Sequence, residues 1–137
     1  MTTEKIDALC AFLGTDADIT ATSWDEDTFD TDEGEFLVLT DEEADDRVAA
    51  YIADSLWAFR PEFLANFLDM DWDCAITVIK ALAEKYEDAN PTLHKLVGDR
   101  FDELCEEAIR ADGRGHFLAS YDGGENEQDG LFIYRTN

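Results

Sequence analysis

Residues 35–59, EFLVLTDEEADDRVAAYIADSLWAF, join a strand pattern directly to a helix pattern. The first six residues, 35–40, form a short apolar run of the kind that is typical of strands. Thr40 closes that run and Glu43 follows three residues later, which is the capping-box pattern of a helix start. Pro61 ends or kinks the helix. The residues predicted to face inward recur at helical spacing and are Ala44, Val48, Tyr51, Ile52, Ser55, Leu56 and Phe59.

The sequence before this stretch predicts one helix and one hairpin. Residues 4–13, EKIDALCAFL, place apolar side chains at helical spacing, and Gly14 stops the helix. Residues 18–24, DITATSW, are rich in β-branched side chains and predict a strand. An acidic connection, 25–34, ends in glycine and leads to the strand at 35–40, so the two strands are predicted to pair.

The sequence after Pro61 predicts helices and then a second hairpin. The predicted elements are a short helix at 61–68, a helix at 71–87, one or two helical turns at 91–97, a helix at 99–111, and strands at 116–121 and 131–135. In the helix at 71–87, the residues predicted to face inward are Trp72, Ile76, Ile79, Leu82, Ala83 and Tyr86. The segment between the last two strands, DGGENEQDG, predicts a long hairpin loop.

Together these elements predict an α+β fold. We expect an antiparallel sheet of about four strands, arranged as two hairpins, packed against four or five helices. No repeat and no linker divides the sequence, so we predict a single domain spanning residues 1–137. The predicted core follows the apolar faces of these elements and consists of Leu9, Leu37, Leu39, Val48, Ile52, Leu56, Ile76, Ile79, Leu104, Ile109, Phe117 and Ile133.

The charge of the chain narrows the kinds of partner that it can bind. Its 137 residues include 34 acidic and 10 basic side chains, a net charge of −24. A folded core is still expected, because 45% of the residues are hydrophobic and 12% are aromatic. A protein of this charge repels nucleic acid and anionic lipid and attracts basic surfaces. Adaptation to high salt is an alternative cause, since Asp outnumbers Glu 20 to 14 and there are only four lysines.

The acidic residues are clustered along the chain. From Asp16 to Asp46 there are 14 acidic residues and no base within 31 residues. Three groups are predicted to bind a partner: the loop group (Asp25, Asp27, Asp30 and Asp32), the middle-helix group (Asp41, Glu42, Asp45 and Asp46) and the last-helix group (Asp102, Glu103, Glu106 and Glu107). A smaller group consists of Glu84, Glu87 and Asp88.

Acidic groups on rigid supports suggest imitation of a nucleic acid. Carboxylates one helical turn apart approximate the spacing of phosphates along a strand. A protein that presents them can occupy a Lys/Arg surface that otherwise binds DNA. The alternative is that each group is a solvated face without a partner. Trp24 and Phe29 lie beside and within the loop group, where they are either exposed anchors for a partner or packing residues under the hairpin.

The sequence contains little that points to catalysis or to a metal. The HExxH, GxSxG, P-loop and GxGxxG patterns are absent. His94 and His116 have no second histidine at metal-binding spacing, so each is interpreted as a surface or packing residue. The acidic loop carries calcium-type oxygen ligands, but glycine does not fall at the sixth position and strands flank the loop. We therefore predict no enzymatic activity, no cofactor and no metal.

The cysteines and the N-terminus indicate a reducing compartment. Cys10, Cys74 and Cys105 are an odd number without a CxxC pair, and all three are predicted to be buried thiols. The start of the chain lacks the pattern of a signal peptide, and no apolar run is long enough to span a membrane. We predict a cytoplasmic location in a host cell.

Two stretches carry a resemblance to known proteins. They are FLVLTDEEADDRVAAYIADSLWAF at 36–59 and residues 106–137, above all AIRADGRGHFLASYDGGENEQDGLFIYRTN. Both resemble small acidic proteins of phages and mobile elements, of the antirestriction or anti-CRISPR type. The resemblance implies a non-catalytic DNA mimic that inhibits a CRISPR effector or a restriction enzyme, with no direct binding to nucleic acid or membrane. The alternative is an acidic binding or regulatory module of a halophilic host.

Overall fold

The structure is a computed structural model that describes residues 2–14, 17–70 and 72–137, without the side chains of residues 72 and 73. The acidic Asp16, the predicted helix start at residue 71 and the inward position of Trp72 lie outside the described residues. The elements in chain order are α1 (Thr2–Leu13), β1 (Ile19–Ala21), β2 (Thr28–Thr31), β3 (Gly34–Leu39), α2 (Asp41–Asp54), α3 (Pro61–Phe67), α4 (Trp72–Ala83), α5 (Asn90–Val97), α6 (Phe101–Asp112), α7 (Arg114–Leu118), β4 (Asn126–Gln128) and β5 (Leu131–Arg135).

The fold is α+β, as the sequence predicts. Short 3₁₀ turns at Leu56–Ala58, Tyr86–Ala89 and Gly98–Arg100 connect several of the helices. The chain divides into two compact units. We call residues 1–48 and 111–137 the sheet unit and residues 49–110 the helical unit. The single domain therefore stays a prediction, and each unit is described by itself.

The sheet unit contains a five-stranded antiparallel sheet in the order β1-β2-β3-β5-β4. The predicted pairing of the strand at 18–24 with the strand at 35–40 is wrong, because β2 forms inside the predicted connection at 25–34 and pairs with both β1 and β3. Phe29 of β2 lies opposite Phe36 of β3, and Val38 of β3 lies opposite Ile133 of β5. The pairing of β3 with β5 therefore joins the N-terminal and C-terminal segments of the sheet unit.

The last hairpin is tighter than the sequence analysis predicted. Gln128 of β4 pairs with Leu131 of β5, which leaves Asp129 and Gly130 as a two-residue loop. Both loop residues have positive φ, 54° and 80°, as a turn that matches the twist of the strands requires. The Asp-Gly dipeptide is the local signal for this turn, and the long loop predicted between the strands is therefore wrong.

The predicted strand at 116–121 is also wrong, because residues Arg114–Leu118 form the short helix α7. The backbone continues in turns, with Ala119 N donating to Gly115 O at 2.8 Å and Gly123 N donating to Ala119 O at 2.7 Å. Gly115 is buried, and a Cβ there would lie 2.4 Å from the carbonyl oxygen of Gly123. This close approach of two backbone segments requires glycine and replaces the expected strand pairing.

Helix α1 packs against one face of the sheet. Its apolar side chains Ala8 and Leu9 join a buried cluster with residues from the three strands β2, β3 and β5. The sheet residues of this cluster are Phe29, Phe36, Val38, Leu131 and Ile133. The consecutive residues Phe36–Leu39 of β3 and Ile133 and Tyr134 of β5 are all buried, so the central strands of the sheet are covered on both faces.

In the helical unit, α3 packs against α4, and α5 packs against the 3₁₀ turns at Leu56–Ala58 and Tyr86–Ala89.

Of the predicted core residues in the whole chain, nine are buried as expected: Leu9, Leu37, Leu39, Val48, Ile52, Leu56, Ile79, Leu104 and Ile133. The other three, Ile76, Ile109 and Phe117, are only partly buried. Ile76 and Ile109 lie at the edges of their apolar helix faces, and Phe117 lies in α7 instead of the predicted strand.

Several other predicted positions need correction. Cys105 is buried, but Cys10 is only partly buried and Cys74 is exposed. On helix α4 the side chains of Ala75 and Ile79 are buried, and the adjacent Cys74 therefore faces away from the core. The predicted inward positions of two tyrosines are wrong as well, since Tyr51 and Tyr86 are both more than half exposed. Among the described residues, no helix is long and apolar enough to span a membrane.

Candidate acidic binding surface

The middle-helix group stands on the first two turns of α2. Thr40 Oγ1 accepts a hydrogen bond from the backbone N–H of Glu43 at 3.2 Å, and Glu43 Oε1 accepts one from the backbone N–H of Thr40 at 2.9 Å. This confirms the predicted capping box, which fixes the start of the helix. The four carboxylates of the group are exposed, so α2 presents them to solvent in a defined array.

One arginine lies behind two members of the middle-helix group. Arg114 of α7 donates from Nη1 to Oδ1 of Asp41 at 2.8 Å and to Oδ1 of Asp45 at 3.0 Å. Its Nε donates to Oε2 of Glu125 at 2.8 Å. The Arg114 side chain is 9% exposed, whereas those of Asp41 and Asp45 are 74% and 58% exposed. Three carboxylates share one guanidinium, so this Arg114 cluster keeps a net negative charge on its outer side.

Tyr134 of β5 also contacts the Arg114 cluster. Its buried hydroxyl donates to Oε2 of Glu125 at 2.6 Å. Burial raises the pKa of Glu125, but the hydrogen bonds from Arg114 and Tyr134 outweigh burial, and the pKa lies below its ordinary value. Burial and the bond to Glu125 both raise the pKa of Tyr134. Glu125 is therefore ionised and Tyr134 protonated at neutral pH.

Two members of the loop group are engaged inside the fold. The side chains of Asp25 and Asp27 are each only 15% exposed. Arg47 donates to both carboxylate oxygens of Asp25, at 2.8 and 2.9 Å, and to Oδ2 of Asp27 at 3.0 Å. Lys5, 2% exposed, donates to Oδ1 of Asp27 at 2.6 Å and to Oε1 of Glu43 at 2.8 Å. These ion pairs join α1, the β1–β2 connection and α2, which removes Asp25 and Asp27 from the candidate surface.

The pKa values of this internal network reflect its ion pairs. The hydrogen bonds from Arg47 lower the pKa of Asp25 to about 2, against the opposing effect of burial. The backbone N–H of Asp27 and the hydroxyl of Thr28 also donate to Asp25, at 3.0 and 2.9 Å, and lower its pKa further. Burial raises the pKa of Glu43, but the hydrogen bonds and charge of Lys5 and the hydrogen bonds of Thr40 together outweigh burial, so the net shift is downward.

The other two members of the loop group, Asp30 and Asp32, are exposed. Asp30 lies on β2 directly opposite Glu35 of β3. Like charges at opposed positions of an antiparallel pair destabilise the pairing. No ion pair to Asp30 or Asp32 is found within the described part of the chain. Their charges are therefore uncompensated on the surface.

The last-helix group is partly compensated by its own helix and the preceding turn. Arg100 donates from Nε to Oε2 of Glu103 at 3.2 Å, and Arg110 pairs with Glu107. Asp102 and Glu106 are exposed, and ion pairs to them are absent from the described residues. Between these two acids lies Cys105, whose pKa is raised to about 11 by burial and by the charges of Asp102 and Glu106. Two of the four carboxylates of the last-helix group, those of Asp102 and Glu106, therefore have no cationic partner among the described residues.

The charge is unequally divided between the two units. The sheet unit has 21 acidic and four basic residues, a net charge of −17, and the helical unit has 13 acidic and six basic residues, a net charge of −7. The four bases of the sheet unit all interact with other groups of the protein, although Arg47 and Arg135 are only partly buried. Lys5, Arg47 and Arg114 bind carboxylates, and Arg135 covers the rings of Phe36 and Tyr121.

Sequence reasoning missed the roles of Lys5, Arg47 and Arg114. One signal was available for Lys5, because it lies four residues before the buried Leu9 and so on the inward face of α1. The partners of the three bases could not be identified from the sequence, since they are up to 73 residues away in the chain.

The two aromatic candidates differ in exposure: Trp24 is 66% exposed, whereas Phe29 is fully buried in the sheet core.

Both histidines contact aromatic neighbours. His94 donates from Nε2 to the carbonyl of Ala53 at 2.7 Å and packs against Phe101, with ring centroids 5.4 Å apart. His116 is exposed at α7 and packs edge-on against Phe117. Within the described residues, no cluster of three or more His, Cys, Asp or Glu side chains is arranged to hold a metal ion.

Comparison with known proteins does not assign the chain to a family. No protein-family model matches it, and no curated protein and no solved structure is significantly similar to it. The resemblance to acidic phage proteins therefore stays an expectation, and the function is argued from the surface.

Proposed function

We propose that this protein is a non-catalytic inhibitor whose acidic surface occupies a Lys/Arg surface that otherwise binds nucleic-acid phosphates. The proposed target is a host defence complex in the cytoplasm, either a CRISPR effector or a restriction enzyme. The observation that carries the proposal is that the bases of the sheet unit are engaged by the protein itself. Lys5 and Arg114 are almost fully buried while the carboxylates of Asp41 and Asp45 face solvent.

The sheet unit concentrates the field that such a target would meet. Its net charge of −17 comes from 21 acidic residues, and its four bases are engaged by the protein itself. A field of this kind steers a basic surface toward the protein and repels nucleic acid. A protein surface that binds phosphates through several Lys and Arg side chains can also bind an extended array of carboxylates.

Glu42 and Asp46 are the strongest candidates for direct contact with the target. They lie four residues apart on α2, where side chains are about 5–6 Å apart and like charges repel. Both are exposed, and neither has an ion pair within the described residues. Arg114 relieves the repulsion between Asp41 and Asp45 but not between these two. An external Lys/Arg surface would supply the missing cations.

Adaptation of the whole surface to high salt would produce a similar composition. In that case the exposed carboxylates interact with solvent and ions, and reversing two of them leaves the activity of the protein unchanged. A mimic of nucleic acid depends on where its charges lie. Position, rather than total charge, is therefore what the experiment must vary.

The experiment measures plating of unmodified phage on bacterial strains that each carry one restriction or CRISPR system. The protein is expressed in each strain, and inhibition appears as restored plating. We expect restored plating with at least one system and its loss in the double variant Glu42→Lys/Asp46→Lys. The variant changes the net charge of the sheet unit from −17 to −13 and so reduces its overall self-repulsion, and circular dichroism checks that it is folded.

The matched control is Glu62→Lys/Asp99→Lys, which changes the net charge by the same amount at exposed positions outside the three groups. This control should keep the inhibition. If the control and the test variant lose activity equally, total charge decides and mimicry by α2 is wrong. If no strain shows restored plating, the proposed class of target is wrong.

A further inference from the structure

Trp57 and Tyr86 form an aromatic corner in the helical unit. Their ring centroids are 5.4 Å apart and the ring planes meet at 80°. Tyr86 is 64% exposed and Trp57 is partly buried. Two aromatic faces at nearly a right angle are walls of the kind that bind organic cations. We use the name aromatic corner for these two side chains.

The backbone of Tyr86 has a conformation that glycine adopts more easily than tyrosine. Helix α4 ends with the backbone N–H of Lys85 donating to the carbonyl of Leu82 at 2.9 Å. Tyr86 follows with a φ of 54°, the left-handed conformation in which helices usually place glycine. A bulky aromatic residue is strained there. Glycine would avoid this strain, and the tyrosine instead supplies a ring that packs edge-on against Trp57.

The other half of the corner is fixed by Asn90. Its Oδ1 accepts a hydrogen bond from the backbone N–H of Trp57 at 3.1 Å, and its Nδ2 donates to the carbonyl of Asp54 at 2.7 Å. The amide thus ties α5 to the end of α2 and to the 3₁₀ turn that carries Trp57. A preorganised aromatic pair loses little conformational entropy when it binds a ligand.

The charges beside the aromatic corner favour a cation. Glu84, Glu87 and Asp88 lie on the same segment as Tyr86, and all three are exposed. Ion pairs to these carboxylates are not found among the residues that the structure describes. Lys85 is the one base within residues 84–88, which leaves that segment with a net charge of −2.

We propose that the aromatic corner binds an arginine side chain of the basic partner. A guanidinium stacks on aromatic faces and can pair with a carboxylate through two parallel hydrogen bonds, which an ammonium group cannot do. The inference rests on the proposed function for the nature of the partner. It assigns one specific contact with the partner to the helical unit.

The test uses two synthetic octapeptides of equal charge, one alternating Arg with Gly and the other Lys with Gly. Binding to the full-length protein is followed by the ¹H–¹⁵N signals of the indole groups. The protein has three tryptophans, and Trp57→Phe identifies the signal of Trp57. We expect the Arg peptide to move this signal and to bind about fivefold more tightly than the Lys peptide. Equal affinities with an unmoved Trp57 signal would overturn the proposal.

Tyr86→Gly and Asp69→Gly separate the contact from the backbone. Both residues have positive φ, 54° and 55°, at the ends of helices in the same unit. Each glycine variant should melt within about 4 °C of the parent. Tyr86→Gly should lose the preference for Arg, and Asp69→Gly should keep it. Retained preference in Tyr86→Gly contradicts the inference. Failure of this test leaves the plating result for Glu42 and Asp46 unaffected, so the two proposals are judged separately.

Discussion

Nζ of Lys5 lies 2.6 Å from Oδ1 of Asp27, and the lysine side chain is only 2% exposed. The same ammonium group lies 2.8 Å from Oε1 of Glu43. Lys5→Met should therefore leave two carboxylates without this cation. We predict a loss of about 2–4 kcal/mol in the free energy of unfolding, measured by urea denaturation. A loss below about 0.5 kcal/mol would show that the ion pairs do not hold α1 in place.

The low pKa of Asp25 predicts a stability change at acidic pH. The folded-state pKa is about 2, below the ordinary value of 3.8, so the pairing with Arg47 stabilises the protein above about pH 4. This contribution, about 2 kcal/mol, is lost as the pH falls from 4 toward 2. Arg47→Met should return the midpoint of Asp25, followed by carboxyl NMR, toward the ordinary value. An unchanged midpoint in that variant would contradict the assignment.

Two positions on α6 provide a matched test of the core. Leu104 is fully buried, whereas Ile109 on the same helix is partly buried. Leu104→Ala should cost about 2–5 kcal/mol of unfolding free energy. Ile109→Ala should cost clearly less, because part of its side chain already contacts water. Equal losses at the two positions would show that α6 is rotated relative to the structure described above.

A salt series separates mimicry from adaptation to high salt. The charged network around Lys5 and Arg47 is internal, so it does not need concentrated salt to form. We predict a cooperative melting transition above about 45 °C at roughly 0.15 M salt. A protein adapted to high salt would be unfolded under these conditions and would fold only on addition of salt. Circular dichroism at increasing salt concentration distinguishes the two outcomes.

Local sequence signals were sufficient for much of the fold. The capping box at Thr40 located the start of α2, and the periodic apolar face from Phe101 to Ile109 located α6. Both signals act within a few residues of each other in the chain. They depend little on what the rest of the molecule does.

Contacts between distant segments explain the errors. The apolar run at 116–121 is too short to distinguish a strand from a helix by periodicity, and the deciding contact of Gly115 lies with Gly123. The ion pairs were missed for the same reason, because their partners lie far apart in the chain. With 34 acids in the chain, composition does not tell which of them meet Arg114 or Lys5. The sequence therefore indicated an acidic surface but not which carboxylates face the solvent.

The most direct test of the account is competition with DNA. A labelled DNA duplex is bound to the purified defence complex that the plating experiment identifies, and the protein is titrated in while fluorescence anisotropy is recorded. We predict that the protein displaces the duplex, that more protein is needed when more DNA is present, and that displacement weakens between about 50 and 200 mM salt. Inhibition of the complex without displacement of DNA, at any DNA concentration, would contradict the account.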